Sequence, residues 1–550
     1  MDSRASTYTK AQVQRLGAVS VPARWDYGSA VMLASRGRGS ARARRFDRRG
    51  PDGICIILVI ACPASAGLFL MTARRRPNIL LILTDDQRAD TIAALGNGDL
   101  RTPHLDGLVR RGTVFRNACI MGGTQPAVCC PSRNMLLTGR SLFRIGGRTG
   151  EVIPPGHACL PEMLRGECYR THHIGKWHQD RASFHRSFSA ADRIFGFTPG
   201  WYVQTGGHWN VAVHDFDPEG TYPEEGGYLL DADKQTKHPV IPGRGGVHSS
   251  EMFSDAAVEF LDRQGGAGDQ PPFFLYLAYV APHDPRQSPE EYERRYEPSA
   301  LPLPPNFLER HPFDNGEFSV RDEMLEAWPR RPHAIRRHLA DYYACIEHLD
   351  AQIGRVLEAL DRNDLRDDTI IVFTSDNGLG IGSHGLLGKQ NLYEHSVGVP
   401  LVLAGPGIPS GAVDDRFCYL QDVFPTLCDL AGLPVPASVE GRSLVAPAHD
   451  AGAGERDALY HAYCGVQRAV RVGDDKLIEY VTPVGRQTQL FDLRHDPHET
   501  MNLAALPEQA GKVAALRERL FAMKAHYGDD RVQESQFWSG PGSVADPGGG

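Results

Sequence analysis

The stretch Asn78-Ile79-Leu80-Leu81-Ile82-Leu83-Thr84-Asp85-Asp86-Gln87 decides the fold. Its apolar run, Ile79 to Leu83, shows no polar alternation, which is the pattern of a strand buried on both faces in a parallel sheet. It ends on two adjacent carboxylates. Open α/β sheets collect ligands at the carboxyl ends of their strands, and neighbouring carboxylates there repel each other unless a cation lies between them. Read alone, the pair also fits a solvated turn or a helix N-cap.

Working outward, a second buried run, Thr369 to Thr374, ends on Ser375-Asp376-Asn377-Gly378. With Asp85 and Asp86 it supplies the hard oxygen donors that Ca²⁺ or Mg²⁺ prefers, and no zinc-type set of His and Cys accompanies them. A third run, Phe273 to Val280, leads into Ala281-Pro282-His283-Asp284-Pro285-Arg286, so His283 also falls at a strand's carboxyl end, with Arg286 as a further candidate substrate contact. In His172-His173-Ile174-Gly175-Lys176-Trp177-His178, an extended backbone puts Lys176 and His178 on one face, where a cation and a proton-transfer group reach the same anion. Between these runs lies Cys129-Cys130-Pro131-Ser132-Arg133-Asn134-Met135-Leu136-Leu137-Thr138-Gly139-Arg140, which sets a potential nucleophile beside cations suited to an anionic group. A buried cysteine pair ahead of an ordinary amphipathic helix would carry such residues without any chemistry.

In this order the segments resemble the formylglycine-dependent (type I) sulfatases of the alkaline phosphatase superfamily. The match is carried by Cys129, Pro131, Ser132, Arg133, Leu137, Thr138, Gly139 and Arg140, by Arg76 to Asp86, by Thr102 to Gly112, by Gly175-Lys176-Trp177-His178, by Gly382-Ser383-His384-Gly385 through Lys389, and by Asp492 to Ala504. The resemblance implies an α/β fold, a large mixed sheet sandwiched by helices, with a smaller C-terminal α+β domain. It implies a sulfuric ester hydrolase in which Cys129 is oxidised to 3-oxoalanine (formylglycine), whose gem-diol is the nucleophile. It assigns Asp85, Asp86, Asp376, Asn377 and the modified Cys129 to a Ca²⁺ or Mg²⁺ site. Arg133, Lys176 and Lys389 are assigned to the sulfate oxygens, His283 to protonation of the leaving alcohol, and His178 to the proton transfer that releases sulfate. Glu394 fits the same pattern. The implied partners are a carbohydrate, choline or aryl sulfate ester and a formylglycine-generating maturase. Phosphonate monoester hydrolases and phosphodiesterases use the same aldehyde and are the rival enzyme reading, although Pro131-Ser132-Arg133 favours sulfate. A noncatalytic sulfated-glycan binding protein is the rival of another class; it predicts a missing ligand or base, and each one is present.

Bulk properties set further limits. Hydrophobic residues at 41% and charged residues at 23% are the balance of a globular chain rather than a disordered one. The net charge of −8 divides unevenly: residues 1–76 hold fourteen Lys/Arg against four Asp/Glu, so the body is acidic and is not expected to bind nucleic acid. Eleven cysteines, an odd number without paired metal-ligand spacing, read as mostly reduced thiols. Residues 1–76 read as a poorly structured extension. Either its basic flank, the apolar run Ile54 to Cys62 and Ala64-Ser65-Ala66 form a secretory or lipoprotein signal, or translation starts at Met71 and the protein is cytoplasmic. That apolar run is short of the roughly 20 residues a membrane span needs, so no stable membrane insertion is expected.

The expected organisation is a catalytic domain over 77–440, a smaller antiparallel-sheet domain over 441–527 and a disordered tail over 528–550. Arg181 to Gly246 is loop-like and is expected to shape the substrate pocket. Leu339, Tyr342, Ile346, Leu349, Ile353, Val356 and Leu360 form the apolar stripe of a long core helix.

Overall fold

In a computed structural model of the chain, Asn78–Thr84 is a strand of an eight-stranded mixed sheet, and Ile79 to Leu83 have no exposed surface. Burying each such side chain contributes roughly 2 kcal/mol before the entropy of ordering it is counted. The structure describes residues 75–529 apart from 148, 198–207, 210–212, 215, 218–228, 231–236, 239–245, 266–269, 446–455 and 483–484, together with the backbone of two antiparallel strands, Leu58–Ala61 and Leu68–Met71. The rest of the N-terminal extension, part of the linker before the C-terminal sheet, and the tail beyond Asp529 therefore lie outside the described residues.

The sheet runs in the order Ala412–Tyr419, Gly112–Cys119, Leu401–Ala404, Thr369–Ser375, Asn78–Thr84, Phe273–Ala278, Arg170–Gln179, Ala190–Phe197. The last five of these strands are parallel in succession, while Leu401–Ala404 is antiparallel to both its neighbours. Parallel strands share one carboxyl edge. The topology therefore gathers Asp85, Asp86, Lys176, His178, His283, Asp376 and Asn377 at a single edge, although they are up to three hundred residues apart in the chain.

The register explains the core. Leu80 pairs with Leu275 and Ile371, and Ile82 with Leu277 and Phe373, so one face of the sheet presents these side chains together. The helices Pro103–Arg111, Ser249–Asp262 and Pro332–Arg362 cover that face with Leu105, Leu108, Phe253, Phe260, Leu349, Ile353, Val356 and Leu360. Outside this cluster, Cys129–Thr138 and Leu160–Gly166 pack against the strand Arg170–Gln179. The result is a mixed α/β fold built on one large mixed sheet with helices packed on it.

A second sheet is formed by Ala458–Tyr463, Gln467–Val472, Asp475–Thr482 and Gly485–Asp492, with Gly122–Gly123 added parallel to its edge. The helix Ala510–Tyr527 packs Val513, Leu516, Leu520 and Met523 on it, in a cluster shared with Met121 and Met135. Gly122 has φ +104°, and a Cβ there would stand 2.0 Å from the Ala462 carbonyl oxygen, so only glycine can make this close approach. The segment that leads into Cys129 is thus seated on the C-terminal sheet.

Several parts differ from the sequence expectation. The extension 1–76, expected to be poorly structured, carries the paired strands Leu58–Ala61 and Leu68–Met71, and Asp529, within the expected disordered tail, is buried and accepts from Arg468 Nη2 at 2.9 Å. Arg181 to Gly246 is not loop-like throughout: it opens with the helix Arg181–Ser187 and the strand Ala190–Phe197. Phe184 and Phe188 from this segment enclose His173, Trp177 and Tyr276 in an aromatic cluster, and a helix of two turns is too short to reveal its period. The strand Ala412–Tyr419 was also hidden, because it carries charged residues and a register shift between Asp414 and Phe417. No helix among the described residues is long and apolar enough to cross a membrane.

Candidate active site

At the shared carboxyl edge, Arg133 is the central cation. Its Nε donates to Asp376 Oδ2 at 2.8 Å, its Nη2 to Asp85 Oδ2 at 3.1 Å and its Nη1 to the Lys176 carbonyl at 3.0 Å. Lys176 Nζ also donates to Asp85 Oδ2, and Lys389 Nζ donates to Asp86 Oδ1 at 2.5 Å. Asn377 Nδ2 donates to Asp86 Oδ1 at 2.7 Å, and the Asp86 N–H to Asp376 Oδ1 at 3.2 Å. The Arg133 guanidinium, expected at the sulfate oxygens, is thus committed to two carboxylates and a carbonyl. Asp86 adopts φ +66°, a strained conformation for a non-glycine residue of the kind that collects at functional sites.

All of these groups are buried, which makes their mutual charge decisive. Burial by itself would raise the Asp85 carboxyl, but Lys176 and then Arg133 outweigh it and hold it below the usual carboxylate range. Asp376 goes the other way: burial and the neighbouring Asp85 charge push it up to about 6. Burial opposes the charge on Lys176 and Lys389, yet Asp85 and Asp86 respectively raise both amines above their ordinary value, so both remain cations.

The donor set fits a hard divalent cation. Asp85 Oδ1, Asp86 Oδ2 and Asn377 Oδ1 are buried and have no hydrogen-bond partner. Leaving three acceptors so costs about 1–3 kcal/mol each, and an ion with oxygen preference would satisfy all three. Cys129 Sγ and one carboxylate oxygen each from Asp85 and Asp376 lie within 4.8 Å of one another, as do atoms of Asp85, Asp86 and His283.

Cys129 opens the helix Cys129–Thr138, its Sγ 3.9 Å from Lys176 Nζ and 4.0 Å from Lys389 Nζ. Burial nevertheless pushes the thiol up to about 11, so as an unmodified cysteine it is a poor nucleophile at neutral pH. Cys130 is turned away: its Sγ donates to the His178 carbonyl at 3.4 Å and takes part in a contact with Gln179 Nε2 at 3.7 Å.

The two histidines differ. Burial, reinforced by Lys176 and Arg133, pushes His178 well below its usual value, so it is a neutral base. The extended alternation expected across Lys176 and His178 is broken: His178 has φ +61°, and the pairing to the next strand shifts between Lys176 and Gln179. His283 Nδ1 donates to the Asp284 carbonyl at 2.8 Å, which leaves Nε2 to face the site, 3.8 Å from Asp86 Oδ2.

Several surrounding residues carry no local sequence signal. Gln390 donates to Asp322 Oδ2 at 2.7 Å and to the Pro126 carbonyl at 2.8 Å, while its Oε1 accepts the Lys389 N–H at 3.0 Å. Glu323 accepts the Gly388 N–H at 2.8 Å and the Leu387 N–H at 3.0 Å. Together they clamp the loop that bears Lys389. His384 sits apart from the cluster, stacked on Tyr393 at 3.7 Å with Nε2 bonded to the Glu499 carbonyl at 2.9 Å. Glu394 likewise pairs with Lys476 of the second sheet at 2.7 Å, and Arg286 lies 3.4 Å from His338 Nδ1 with its guanidinium over the Tyr342 ring.

Comparison with known proteins identifies the family. A family model described as sulfatase matches residues 77–433, and one described as N-sulphoglucosamine sulphohydrolase, C-terminal, matches residues 382–526. The chain is similar to the ulvan-active sulfatase of Formosa agariphila, 27% identical over 475 residues that span 83% of this chain and 82% of the relative. Among solved structures it is similar to a protein in complex with its substrate D-glucosamine-2-N,6-O-disulfate, with TM-score 0.65 and 22% identity over 84% of this chain and 100% of that one. It also shares the fold of the phosphonate monoester hydrolase of Agrobacterium radiobacter, with TM-score 0.59 and 24% identity over 82% of this chain and 96% of that one.

Proposed function

This chain belongs to the sulfatase family and is an enzyme that hydrolyses sulfate esters; from that premise we propose that it acts on a sulfated carbohydrate, with Cys129 in its formylglycine form and a divalent cation held by Asp85, Asp86, Asp376 and Asn377. The observation that carries this reading is Cys129 Sγ lying about equally far from Lys176 Nζ and Lys389 Nζ, at 3.9 and 4.0 Å, beside carboxylate oxygens of Asp85 and Asp376. A sugar is favoured as the alcohol because one relative is named for activity on ulvan and one structural neighbour holds a glucosamine disulfate.

Once formed by a maturase, the aldehyde hydrate supplies a hydroxyl nucleophile and a second hydroxyl that an ordinary thiol lacks. Ca²⁺ or Mg²⁺ at the carboxylates supplies Lewis acidity beside it. The chain's own residues do the rest. Arg133 holds Asp85 and Asp376 in place and keeps their charges balanced. Lys176 and Lys389, both cationic, are close enough to position 129 to hold sulfate oxygens and stabilise charge as the ester breaks. His178, neutral by burial, accepts a proton at the stage of sulfate release. His283 gives a proton from Nε2 to the departing alcohol, with Nδ1 held by the Asp284 carbonyl at 2.8 Å. We further read the chain as a catalytic body over 77–440 with a smaller domain over 441–527.

The test combines mass and turnover. Protein made with a formylglycine-generating enzyme is digested with trypsin, and the peptide holding Cys129 should be lighter by about 18 Da than its unmodified form. The same protein should hydrolyse 4-nitrocatechol sulfate and a sulfated sugar, and Cys129→Ala should abolish both. An unmodified Cys129, alongside a control protein that the maturase does convert, with undiminished sulfatase activity would sink the aldehyde reading. Faster turnover of phenyl phosphonate esters than of any sulfate would favour the phosphonate hydrolase instead.

A further inference from the structure

Behind the loop that carries His283, two fully buried imidazoles hold backbone carbonyls. His208 Nε2 lies 2.8 Å from the His283 carbonyl oxygen, and its Nδ1 lies 3.1 Å from Ser249 Oγ. A carbonyl only accepts, so Nε2 carries the proton, Nδ1 is the acceptor, and the Ser249 hydroxyl donates to it. His248 obeys the same rule: its Nε2 faces the Gln287 carbonyl at 3.0 Å and its Nδ1 accepts the Ser250 N–H at 3.1 Å. The two rings stack with centroids 5.1 Å apart, and His348 stands edge-on to His248 at 4.5 Å. Burial pushes His208 down to about 4 and His248 well below its usual value, so both stay neutral donors at physiological pH. The pair is anchored on the start of the helix Ser249–Asp262, where the Ser249 N–H donates to the His208 carbonyl at 2.8 Å.

We propose that His208, with His248 beside it, is a positioning residue for the leaving-group proton donor, fixing the His283–Gln287 segment by its two end carbonyls and so the direction of His283 Nε2. The His283 carbonyl belongs to the same peptide unit that leads to Asp284, whose own carbonyl accepts His283 Nδ1–H at 2.8 Å. A tilt of that peptide would turn the ring and move Nε2 away from the ester oxygen. The inference rests on the reading of His283 as the proton donor. It concerns a residue seventy-five positions away in sequence, whose ring nitrogens meet the His283 carbonyl and Ser249 Oγ.

The experiment measures kcat and KM on phenyl sulfates of graded leaving-group acidity, from 4-nitrophenyl to unsubstituted phenyl sulfate, for the wild type, His208→Leu, His208→Gln, His283→Ala and the double variant His208→Leu/His283→Ala. A poor leaving group needs the proton and a good one does not, so His208→Leu should lose about tenfold more kcat on phenyl sulfate than on 4-nitrophenyl sulfate. His208→Gln keeps an N–H near the Nε2 position and should recover most of that loss. Adding His208→Leu to His283→Ala should cost no more than His283→Ala alone, because both act through one proton. Equal losses on all esters, or losses that multiply in the double variant, would overturn the positioning role. If His283→Ala itself shows no leaving-group dependence, the proton-donor reading falls first and the inference with it. Should His208→Leu fail to fold, His208→Gln is compared with His208→Asn, whose amide cannot reach the same carbonyl: a leaving-group-dependent loss in Asn but not in Gln supports the positioning role, and equal behaviour of the two overturns it.

Discussion

Arg133 Nε donates to Asp376 Oδ2 over 2.8 Å, and neither side chain has any exposed surface. The same guanidinium reaches Asp85, so one cation balances two of the proposed cation ligands. Replacing Arg133 by Ala should leave buried carboxylates uncompensated and lower stability by about 3–5 kcal/mol in urea unfolding without added metal. Millimolar Ca²⁺ should return part of that loss, since it neutralises the same oxygens. A loss below about 1 kcal/mol would show that Lys176 alone suffices.

Chelation gives a second prediction. With Asp85 Oδ1, Asp86 Oδ2 and Asn377 Oδ1 unpartnered in the folded chain, Ca²⁺ should raise the melting temperature and EDTA should lower it, along with sulfatase activity. Asp376→Asn should shift the Ca²⁺ titration midpoint upward by about tenfold or more while leaving secondary structure intact. A melting temperature indifferent to both reagents would remove the cation from the site.

Lys476 ties the second sheet to the loop beyond Lys389. Its fully buried Nζ lies 2.7 Å from Glu394 Oε1 and 2.8 Å from Glu499 Oε1, and Glu499 Oε2 accepts the Glu394 N–H at 2.7 Å. Lys476→Met should cost about 3–5 kcal/mol because it strands the Glu499 carboxylate and leaves Glu394 with Arg471 as its remaining cation, at 3.2 Å. It should also reduce kcat/KM more than KM changes, since Glu394 stands five residues from Lys389. Unchanged kinetics at full occupancy of the folded state would confine Lys476 to stability.

Asp350 makes stability depend on pH away from the site. From the long helix it accepts the Leu105 N–H at 2.8 Å and the His104 N–H at 3.1 Å, capping the helix Pro103–Arg111. Burial pushes its carboxyl up to about 7. The folded value lies above the unfolded one of about 3.9, so its stabilising share is complete below about pH 4 and is lost as pH rises through about 7. Asp350→Asn cannot ionise, and it should therefore gain on the wild type between pH 5 and pH 8, by roughly 1–3 kcal/mol. A difference that stays constant over that range would show that Asp350 does not titrate there.

The parts of this protein that the sequence alone determined are those written locally. An unbroken apolar run such as Ile79 to Leu83 can only be satisfied between two layers of helix, and the polar residues that follow it must fall at the strand's end. That logic placed Asp85, Asp86, His283, Asp376 and Asn377 at strand ends, and the family motif around Cys129 was legible because its residues are contiguous. Tertiary structure decided the rest. The order of the strands brings those ends to one edge, and Arg133 meets Asp376 across 243 residues. The clamp of Gln390 and Asp322, the seat of Gly122 on Ala462, and the brace of His208 on the His283 carbonyl leave no trace in composition or period. Each is a contact between a single side chain or glycine and a distant partner, often a backbone group. A backbone carbonyl has the same chemistry in every residue, so no sequence pattern can announce which one will be met.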